Sequence, residues 1–212
     1  MEDPRSTESS WPTTSPVAAR RASVWLAIPI VIAAFAPCIF AGAQLPTASS
    51  ARTPFRLSSP DLVANGRITE KHIYNGFGCS GQNISPQLVW AGVPAGTKSL
   101  AVTVYDPDAP TGSGWWHWVV YDIPPSVRAL PARAAQGAMP RGAVQGMTDF
   151  GTKGYGGPCP PVGDPPHRYV FTLYALKVAR LDVPATATAA FVGFNIRANM
   201  IAKTSFTVPF GR

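Results

Sequence analysis

The chain has 212 residues, of which 46% are hydrophobic and 14% are charged. This composition excludes a disordered polymer, because there are enough apolar side chains to bury a core of ordinary size. The formal net charge is +7, but the lysines and arginines are scattered along the chain, which argues against nucleic-acid recognition. With 19 glycines and 23 prolines, the sequence predicts many turns and shaped loops between strands.

The beginning of the chain is typical of an export signal. Arg20 and Arg21 supply positive charge, residues 24–40 form an almost continuous apolar stretch, and small residues precede Gln44. An uncleaved single-span anchor is the alternative, because a stretch of this length can cross a bilayer. Under either interpretation the domain is exported, and it is periplasmic, secreted or membrane-anchored. We predict three segments, which are a signal peptide over residues 1–43, a linker over 44–54 and one domain over 55–212.

Two cysteines remain once the export signal is set aside. In an oxidising compartment, Cys79 and Cys159 predict one disulfide within the domain. Two separate buried thiols are the alternative, since the sequence does not report the distance between their Cα atoms. No Cys-x-x-Cys or His-x-x-x-His spacing occurs in the sequence, so we predict neither a metal site nor a cofactor.

Several short runs with high β-propensity predict a mainly β domain. The runs at 117–123 and 168–176 are apolar at nearly every residue, which places them inside a sheet that is covered on both faces. The last run, at 205–210, alternates and predicts an edge strand. The remaining predicted strands are at residues 68–74, 87–90 and 99–105.

One helix is predicted near the end of the chain, over residues 186–203. Gly193 is expected to weaken this helix by up to about 1 kcal/mol relative to alanine. The apolar side chains that share one stripe at helical spacing are Phe191, Phe194, Ala198 and Ile201.

The loops beside the dense strands hold the candidate functional residues. Residues 106–110 come directly after a predicted strand and carry two carboxylates, those of Asp106 and Asp108. The alternative is an ordinary turn in which these side chains cap backbone amides. His117 and His167 each begin a dense strand beside a glycine-rich or proline-rich loop, and each is equally compatible with a core position. Residues 149–166 form a long proline-rich loop that predicts a shaped wall. If these parts meet at one sheet end, they form a small polar pocket.

The ordered set of motifs resembles the phosphatidylethanolamine-binding protein family, and in particular its bacterial Raf-kinase-inhibitor-like branch. The resemblance runs from about residue 55 to residue 212. It implies a mainly β fold with a central antiparallel sheet, a smaller second sheet and peripheral helices. The motifs that carry it are residues 106–110, 114–124, 154–161 and 167–169.

The same resemblance implies a pocket at a sheet end that accepts phosphate-like head groups. Cys159 stands where other members of the family often have glycine. A protonated histidine donates to a phosphate oxygen, an adjacent aspartate fixes its tautomer, and the backbone amides near Gly156 and Gly157 add donors. The implied pocket residues are Asp106, His117 and His167, with Asp108, Pro110, Pro160 and Tyr169 as wall or support.

These expectations favour a binding protein or inhibitor over an enzyme, because neither a nucleophile beside a base nor a metal site is evident in the sequence. The expected ligand is phosphate-like or phosphorylethanolamine-like. The resemblance implies a peptidase or another extracytoplasmic partner as the protein target, and the basic charge is compatible with weak contact with anionic membrane surfaces. The alternative is a hydrolase in which Asp106 and His117 or His167 act as acid and base.

Overall fold

The strands of the protein pair in antiparallel order throughout, as seen in a computed structural model that describes residues 53–64 and 66–212. One α-helix, α1 (Ala189–Ala198), and two 3-10 helices (Glu70–His72 and Ala134–Gln136) accompany them. The strands are β1 (Arg56–Ser58), β2 (Asn75–Gly76), β3 (Cys79–Ser80), β4 (Leu88–Ala91), β5 (Ser99–Asp106), β6 (Trp115–Ile123), β7 (Ala129–Leu130), β8 (Val144–Gln145), β9 (His167–Leu176) and β10 (Met200–Phe210).

The central sheet has five strands in the order β10-β9-β5-β6-β8. A second sheet has three strands in the order β1-β4-β7, and β2 and β3 form a separate hairpin. The predicted fold class, with a central antiparallel sheet, a smaller second sheet and peripheral helices, is therefore confirmed.

The inner strands β5, β6 and β9 of the central sheet are buried on both faces, as the unbroken apolar runs predict. On one face, Leu100 and Val102 of β5 belong to a core that they share with the second sheet. On the other face, Ala101 of β5 belongs to a core with Val192 and Ile196 of α1. Successive residues of a strand point to opposite faces, so β5 contributes to both cores and is the centre of the domain.

The predicted helix over residues 186–203 is too long at both ends. Thr188 caps α1, its side-chain oxygen accepting a hydrogen bond from the Phe191 amide at 3.2 Å. The chain turns at Asn199 and enters β10 at Met200, where pairing with β9 replaces the helical hydrogen bonds. The predicted edge strand at 205–210 is the second half of β10, which does lie at the edge of the sheet.

The predicted apolar stripe of this helix is also wrong. Phe191 is 48% exposed and Phe194 is 69% exposed, whereas the buried face consists of smaller residues. A Cβ atom at Gly193 would lie 2.9 Å from Cη2 of Trp116, so the helix approaches the sheet too closely for larger side chains. The buried residues of α1 are Ala189, Val192, Gly193 and Ile196.

The predicted strand at residues 68–74 is a loop that contains the 3-10 helix Glu70–His72. Its carbonyl oxygens accept from the amides of residues 82–84 in an irregular pattern, so that no regular ladder forms. His72 is buried there, and its Nδ1 atom lies 2.7 Å from the carbonyl oxygen of Ile84. The other predicted strands match β4, β5, β6 and β9 to within two residues at each end.

The predicted signal peptide over residues 1–43 and most of the predicted linker over 44–54 lie outside the described residues. In the part of the chain that is described, no helix has both the length and the apolar character needed to cross a membrane.

Candidate functional site

Antiparallel pairing brings the last residue of β5 beside the first residues of β6 and β9. Asp106 is opposite Trp115 in the register of β5 with β6, and Tyr105 is opposite Val170 in the register with β9. These three strand ends surround a cavity of about 140 Å³. The predicted site residues that line it are Asp106, Pro110, His117, Pro160, His167 and Tyr169.

A buried aspartate and a buried histidine form the polar centre of the cavity wall. The Nδ1 atom of His167 lies 2.7 Å from Oδ2 of Asp106, and Oδ1 of Asp106 accepts from the Asp108 amide at 2.9 Å. The Nε2 atom of His167 lies 3.3 Å from Oδ2 of Asp164. Each ring nitrogen of His167 therefore faces a carboxylate, which is the arrangement that a doubly protonated imidazolium satisfies.

The charge of His167 follows from this arrangement. Burial lowers the pKa of His167, but the hydrogen bond to Asp106, the charge of Asp106 and the contact with Asp164 outweigh burial, so that its pKa is raised. Burial and the neighbouring charge of Asp106 also raise the pKa of Tyr169. The surroundings thus favour the imidazolium form of His167 beside the protonated phenol of Tyr169.

His117 is held in a different state. Its Nδ1 atom lies 2.7 Å from the carbonyl oxygen of Gly156, so the neutral ring donates there and carries an unprotonated Nε2 atom. Burial lowers the pKa of His117 to about 4, although the Gly156 carbonyl and the charge of Asp106 oppose this shift. In its neutral form, His117 therefore has Nε2 as an acceptor, and of the two cavity histidines it is His167 whose surroundings favour the protonated donor.

Two further groups near the site do not face the ligand space. Asp108 supports the site through its amide and does not line the cavity; its carboxylate forms a two-pronged ion pair with the exposed guanidinium of Arg168, with an Nη2 to Oδ1 distance of 2.7 Å. The amides of Gly156 and Gly157 are already used, since they donate to the His117 carbonyl at 2.9 Å and to Oδ1 of Asn83 at 2.7 Å. Neither amide is available to a ligand in this arrangement.

An aromatic rim that sequence reasoning missed completes the cavity. Phe77, Trp115 and Phe150 line it together, and Phe77 is stacked on Phe150 with 5.9 Å between ring centroids. Trp115 lies in the motif at 114–124 and Phe150 lies in the long loop at 149–166, so the sequence had already drawn attention to both segments. Phe77 lies in the β2–β3 hairpin, and nothing in its local sequence indicates contact with residues 106–169.

The predicted disulfide is present between Cys79 and Cys159, whose Cα atoms are 6.1 Å apart. Cys159 itself lines the cavity, together with Pro160 and Pro161. The long loop at 149–166 therefore contributes a wall, and the disulfide joins that wall to the β2–β3 hairpin. Within residues 53–64 and 66–212, no three histidines, cysteines or acidic residues are grouped in a way that could hold a metal ion.

Comparison with known proteins identifies the family to which the chain belongs. The family model described as phosphatidylethanolamine-binding protein matches residues 58–211. The chain belongs to this family. Among bacterial relatives, the UPF0098 protein YbcL of Escherichia coli K12 is 49% identical over 164 residues, which cover 76% of this chain and 90% of YbcL. The UPF0098 protein YbhB of the same organism is 51% identical over 157 residues, which cover 73% of this chain and 99% of YbhB.

A solved structure of the family has the same fold. The crystal structure of Escherichia coli YbcL, described as a new member of the mammalian PEBP family, superposes with a TM-score of 0.73 at 49% identity. The superposition covers 74% of this chain and 98% of YbcL. The predicted membership of the phosphatidylethanolamine-binding protein family is therefore confirmed.

Proposed function

We propose that this chain is an exported protein that binds small phosphate-like anions in the cavity between β5, β6 and β9. The observation that carries the proposal is the buried contact of 2.7 Å between His167 Nδ1 and Asp106 Oδ2 at the cavity wall, which favours the imidazolium form of His167. Its other nitrogen already contacts a carboxylate, that of Asp164, whose side chain is 36% exposed and whose contact is the longer at 3.3 Å. An incoming anion can replace Asp164 there without leaving His167 unpaired.

The neutral state of His117 restricts the form of the anion. Its Nε2 atom is an acceptor, so it favours a ligand that brings its own proton. A singly protonated phosphate monoester offers both a negative oxygen to His167 and a hydroxyl to His117. The cavity volume of about 140 Å³ limits the enclosed part to a group of head-group size. We therefore propose phosphate monoesters, such as phosphorylethanolamine, as the ligand class.

Binding fits the arrangement better than hydrolysis. Both oxygens of Asp106 accept hydrogen bonds, from His167 and from the Asp108 amide, so this carboxylate is committed to positioning. Among the described residues that line the cavity, the Thr111 hydroxyl donates to the Gly114 carbonyl at 2.6 Å and the Cys159 sulfur is in a disulfide. Covalent catalysis requires a nucleophile beside a base, and these groups do not supply one.

Calorimetric titration of the purified protein with O-phosphorylethanolamine and with inorganic phosphate, from pH 5 to pH 9, tests this function. We expect saturable binding that weakens as pH rises through the raised pKa of His167. His167→Gln and His117→Gln are expected to lose at least roughly tenfold in affinity, as each removes a charged or buried partner of the ligand. His72→Gln is the matched control, because His72 is a buried histidine with the same Nδ1 contact to a carbonyl but lies outside the cavity.

Unchanged affinity in both cavity variants would contradict the assignment of the site. A saturable hydrolysis of phosphate esters that disappears in Asp106→Asn and His117→Gln, with folding preserved, would instead support the hydrolase alternative. A boiled sample and the His72→Gln variant serve as controls for contaminating activity.

Export is the second part of the proposal. We propose residues 1–43 as the signal peptide, 44–54 as a linker and 55–212 as the exported domain. The Cys79–Cys159 disulfide supports this assignment, because such bonds persist in oxidising compartments. Cell fractionation should find the full chain outside the cytoplasm and a chain without residues 2–43 inside it; equal distribution of the two would contradict export. A peptidase target and weak contact with anionic membranes stay predictions.

A further inference from the structure

Two segments that are distant in sequence form the aromatic side of the cavity opening. The first is the β2–β3 hairpin, residues 75–80, which contributes Phe77. The second is residues 159–161, here called the proline segment, which contributes Cys159, Pro160 and Pro161. Neither segment belongs to the central sheet, so contacts between the two help to set their positions, together with the hydrogen bond from the Tyr74 amide to the Pro158 carbonyl at 3.1 Å.

Two chemically different links connect the hairpin to the proline segment. The disulfide joins Cys79 of the hairpin to Cys159. The exposed side chain of Arg212 forms the second link: its Nε atom donates to the Pro160 carbonyl at 2.6 Å. Its Nη1 and Nη2 atoms donate to the carbonyls of Gly78 at 3.0 Å and Phe77 at 3.1 Å. One guanidinium therefore holds both segments at once.

The hairpin needs such support because its turn is strained. Phe77 has φ of 53° and Gly78 has φ of 80°, which are the left-handed values of a two-residue turn that favours asparagine and glycine. A bulky aromatic residue in this region is a conformational outlier. The side chain of Phe77 is nevertheless 66% exposed at the hairpin tip, where it contacts Phe150 and Trp115 at the cavity. Strain of this kind persists only where the surroundings hold it, and it concentrates at functional sites.

From this arrangement, we infer that Arg212 is a positioning residue that, together with the Cys79–Cys159 disulfide, fixes Phe77 as an aromatic rim over the cavity. The inference rests on the proposed function and deepens it, because a rim of fixed position selects what is attached to the phosphate. Phosphate esters whose organic group packs flat on an aromatic ring are preferred over inorganic phosphate. The two links act on the same hairpin, so each supports it when the other is absent.

The chemistry of arginine is specific to this role. Its planar guanidinium offers five donors in a fixed fork, which reaches three carbonyl oxygens at once. Lysine keeps the positive charge but is a point donor on a flexible stem. Arg212→Lys therefore separates positioning from simple attraction of an anion by positive charge.

The first measurement is hydrogen exchange by mass spectrometry of peptides that cover residues 74–82, which needs no ligand. The variants are Arg212→Ala, Arg212→Lys, the pair Cys79→Ser with Cys159→Ser, and this pair combined with Arg212→Ala. Arg128→Ala is the matched control, because Arg128 is an exposed arginine that also donates to loop carbonyls, of Pro125 and Val127, at the opposite end of β6. Peptides from β5 and β9 report whether each variant remains folded.

The second measurement is the ratio of affinities for phenyl phosphate and inorganic phosphate. We expect the loss of either link alone to raise hairpin exchange by about twofold and the loss of both to raise it by roughly tenfold or more, since coupled contacts are not additive. The affinity ratio should fall in parallel, and Arg212→Ala, at a residue outside the cavity lining, should leave the affinity for inorganic phosphate the same. Phe77→Asn keeps both links and suits the turn, and it should remove the preference for phenyl phosphate even if the combined variant does not fold.

Three results would overturn the inference: additive effects of the two links on hairpin exchange, behaviour of Arg212→Lys equal to that of the unmodified protein, or an unchanged affinity ratio in Phe77→Asn. If inorganic phosphate and O-phosphorylethanolamine do not bind the unmodified protein at all, the proposed function fails. The exchange data then still decide whether Arg212 and the disulfide position the hairpin.

Discussion

The Nδ1 atom of His117 lies 2.7 Å from the carbonyl oxygen of Gly156, a residue 39 positions later in the chain. This contact fixes the neutral tautomer of a buried ring, and 5.1 Å separates that ring from the ring of Tyr169. The pKa values of the two cavity histidines are shifted in opposite directions, although both histidines stand near the start of dense strands. The pKa of His117 is lowered and that of His167 is raised, so the two groups affect stability in opposite directions as pH changes.

The first prediction concerns the loss of stability at acid pH that results from His117. The pKa of His117 is about 4 in the folded protein, against an ordinary value of 6.5, so the unfolded chain binds the extra proton between these pH values. Stability from this group is present above pH 6.5 and is lost as pH falls through about 4. We expect a contribution of about 3 kcal/mol to the free energy of unfolding. Urea unfolding at pH 4 and pH 7 should show that His117→Gln loses this part of the pH dependence; an identical dependence would contradict it.

The second prediction concerns the alkaline side. The pKa of His167 is raised above 6.5 in the folded protein, so its contribution to stability is present below pH 6.5 and is lost as pH rises through the raised pKa. Asp106→Asn removes the stronger partner of His167 and should lower this pKa, whereas Asp164→Asn should lower it less. NMR titration of the histidine rings measures these shifts directly. If Asp164→Asn lowers the pKa of His167 more than Asp106→Asn does, then Asp164 rather than Asp106 is the main partner of His167.

The third prediction is that Gly193→Ala in α1 destabilises the protein, although helix propensity alone favours alanine. Alanine favours helices over glycine by about 1 kcal/mol, yet a Cβ atom at residue 193 would lie 2.9 Å from the Trp116 ring. We expect Gly193→Ala to destabilise the protein by about 1–3 kcal/mol, because the half-buried Trp116 ring, which packs against the α1 core and Tyr105, would have to shift. Phe194→Ala, at a position that is 69% exposed, should change stability much less. Thermal unfolding of the two variants checks both expectations, and a stabilised Gly193→Ala would contradict the close approach.

The fourth prediction concerns the disulfide, which links cysteines that are 80 residues apart. In the chain-entropy treatment, a loop of this length contributes about 4 kcal/mol to stability by restricting the unfolded chain. Replacement of Cys79 and Cys159 by serine should therefore lower the midpoint of urea unfolding strongly. Thiol labelling of the unfolded, unreduced protein should find neither of these two cysteines free. Two labelled thiols would show that the bond does not form in the expressed protein.

The sequence predicted the inner strands of the central sheet well because β5, β6 and β9 are buried on both faces. Runs such as 117–123 and 168–176 are apolar at nearly every residue and rich in β-branched and aromatic side chains, which favours an interior strand. The helix was less predictable, since the large apolar residues Phe191 and Phe194 formed a regular stripe while the side chains that face Trp116 are small. The pattern showed where a helix lies but did not reveal which face the sheet covers.

The candidate site was partly predictable for a similar reason. Asp106, His117 and His167 stand at strand ends, and strand ends converge in any antiparallel sheet of this order. The protonation of the two histidines was not predictable, because it depends on Gly156 and Asp164, which contact them only after folding. The contribution of Phe77 was hidden as well, since the hairpin reaches the cavity through long-range links to Cys159 and Arg212.

The meeting of β5 and β9 has a consequence for how the protein folds. The contact between Asp106 and His167 joins residues 61 positions apart, and the strands that carry them pair only after most of the domain has been synthesised. Chains dominated by such non-local pairing have high contact order and fold slowly, on the order of milliseconds to seconds. The cavity between these strands therefore cannot form until β9 is available, and a nascent chain that ends before β9 lacks one wall of it.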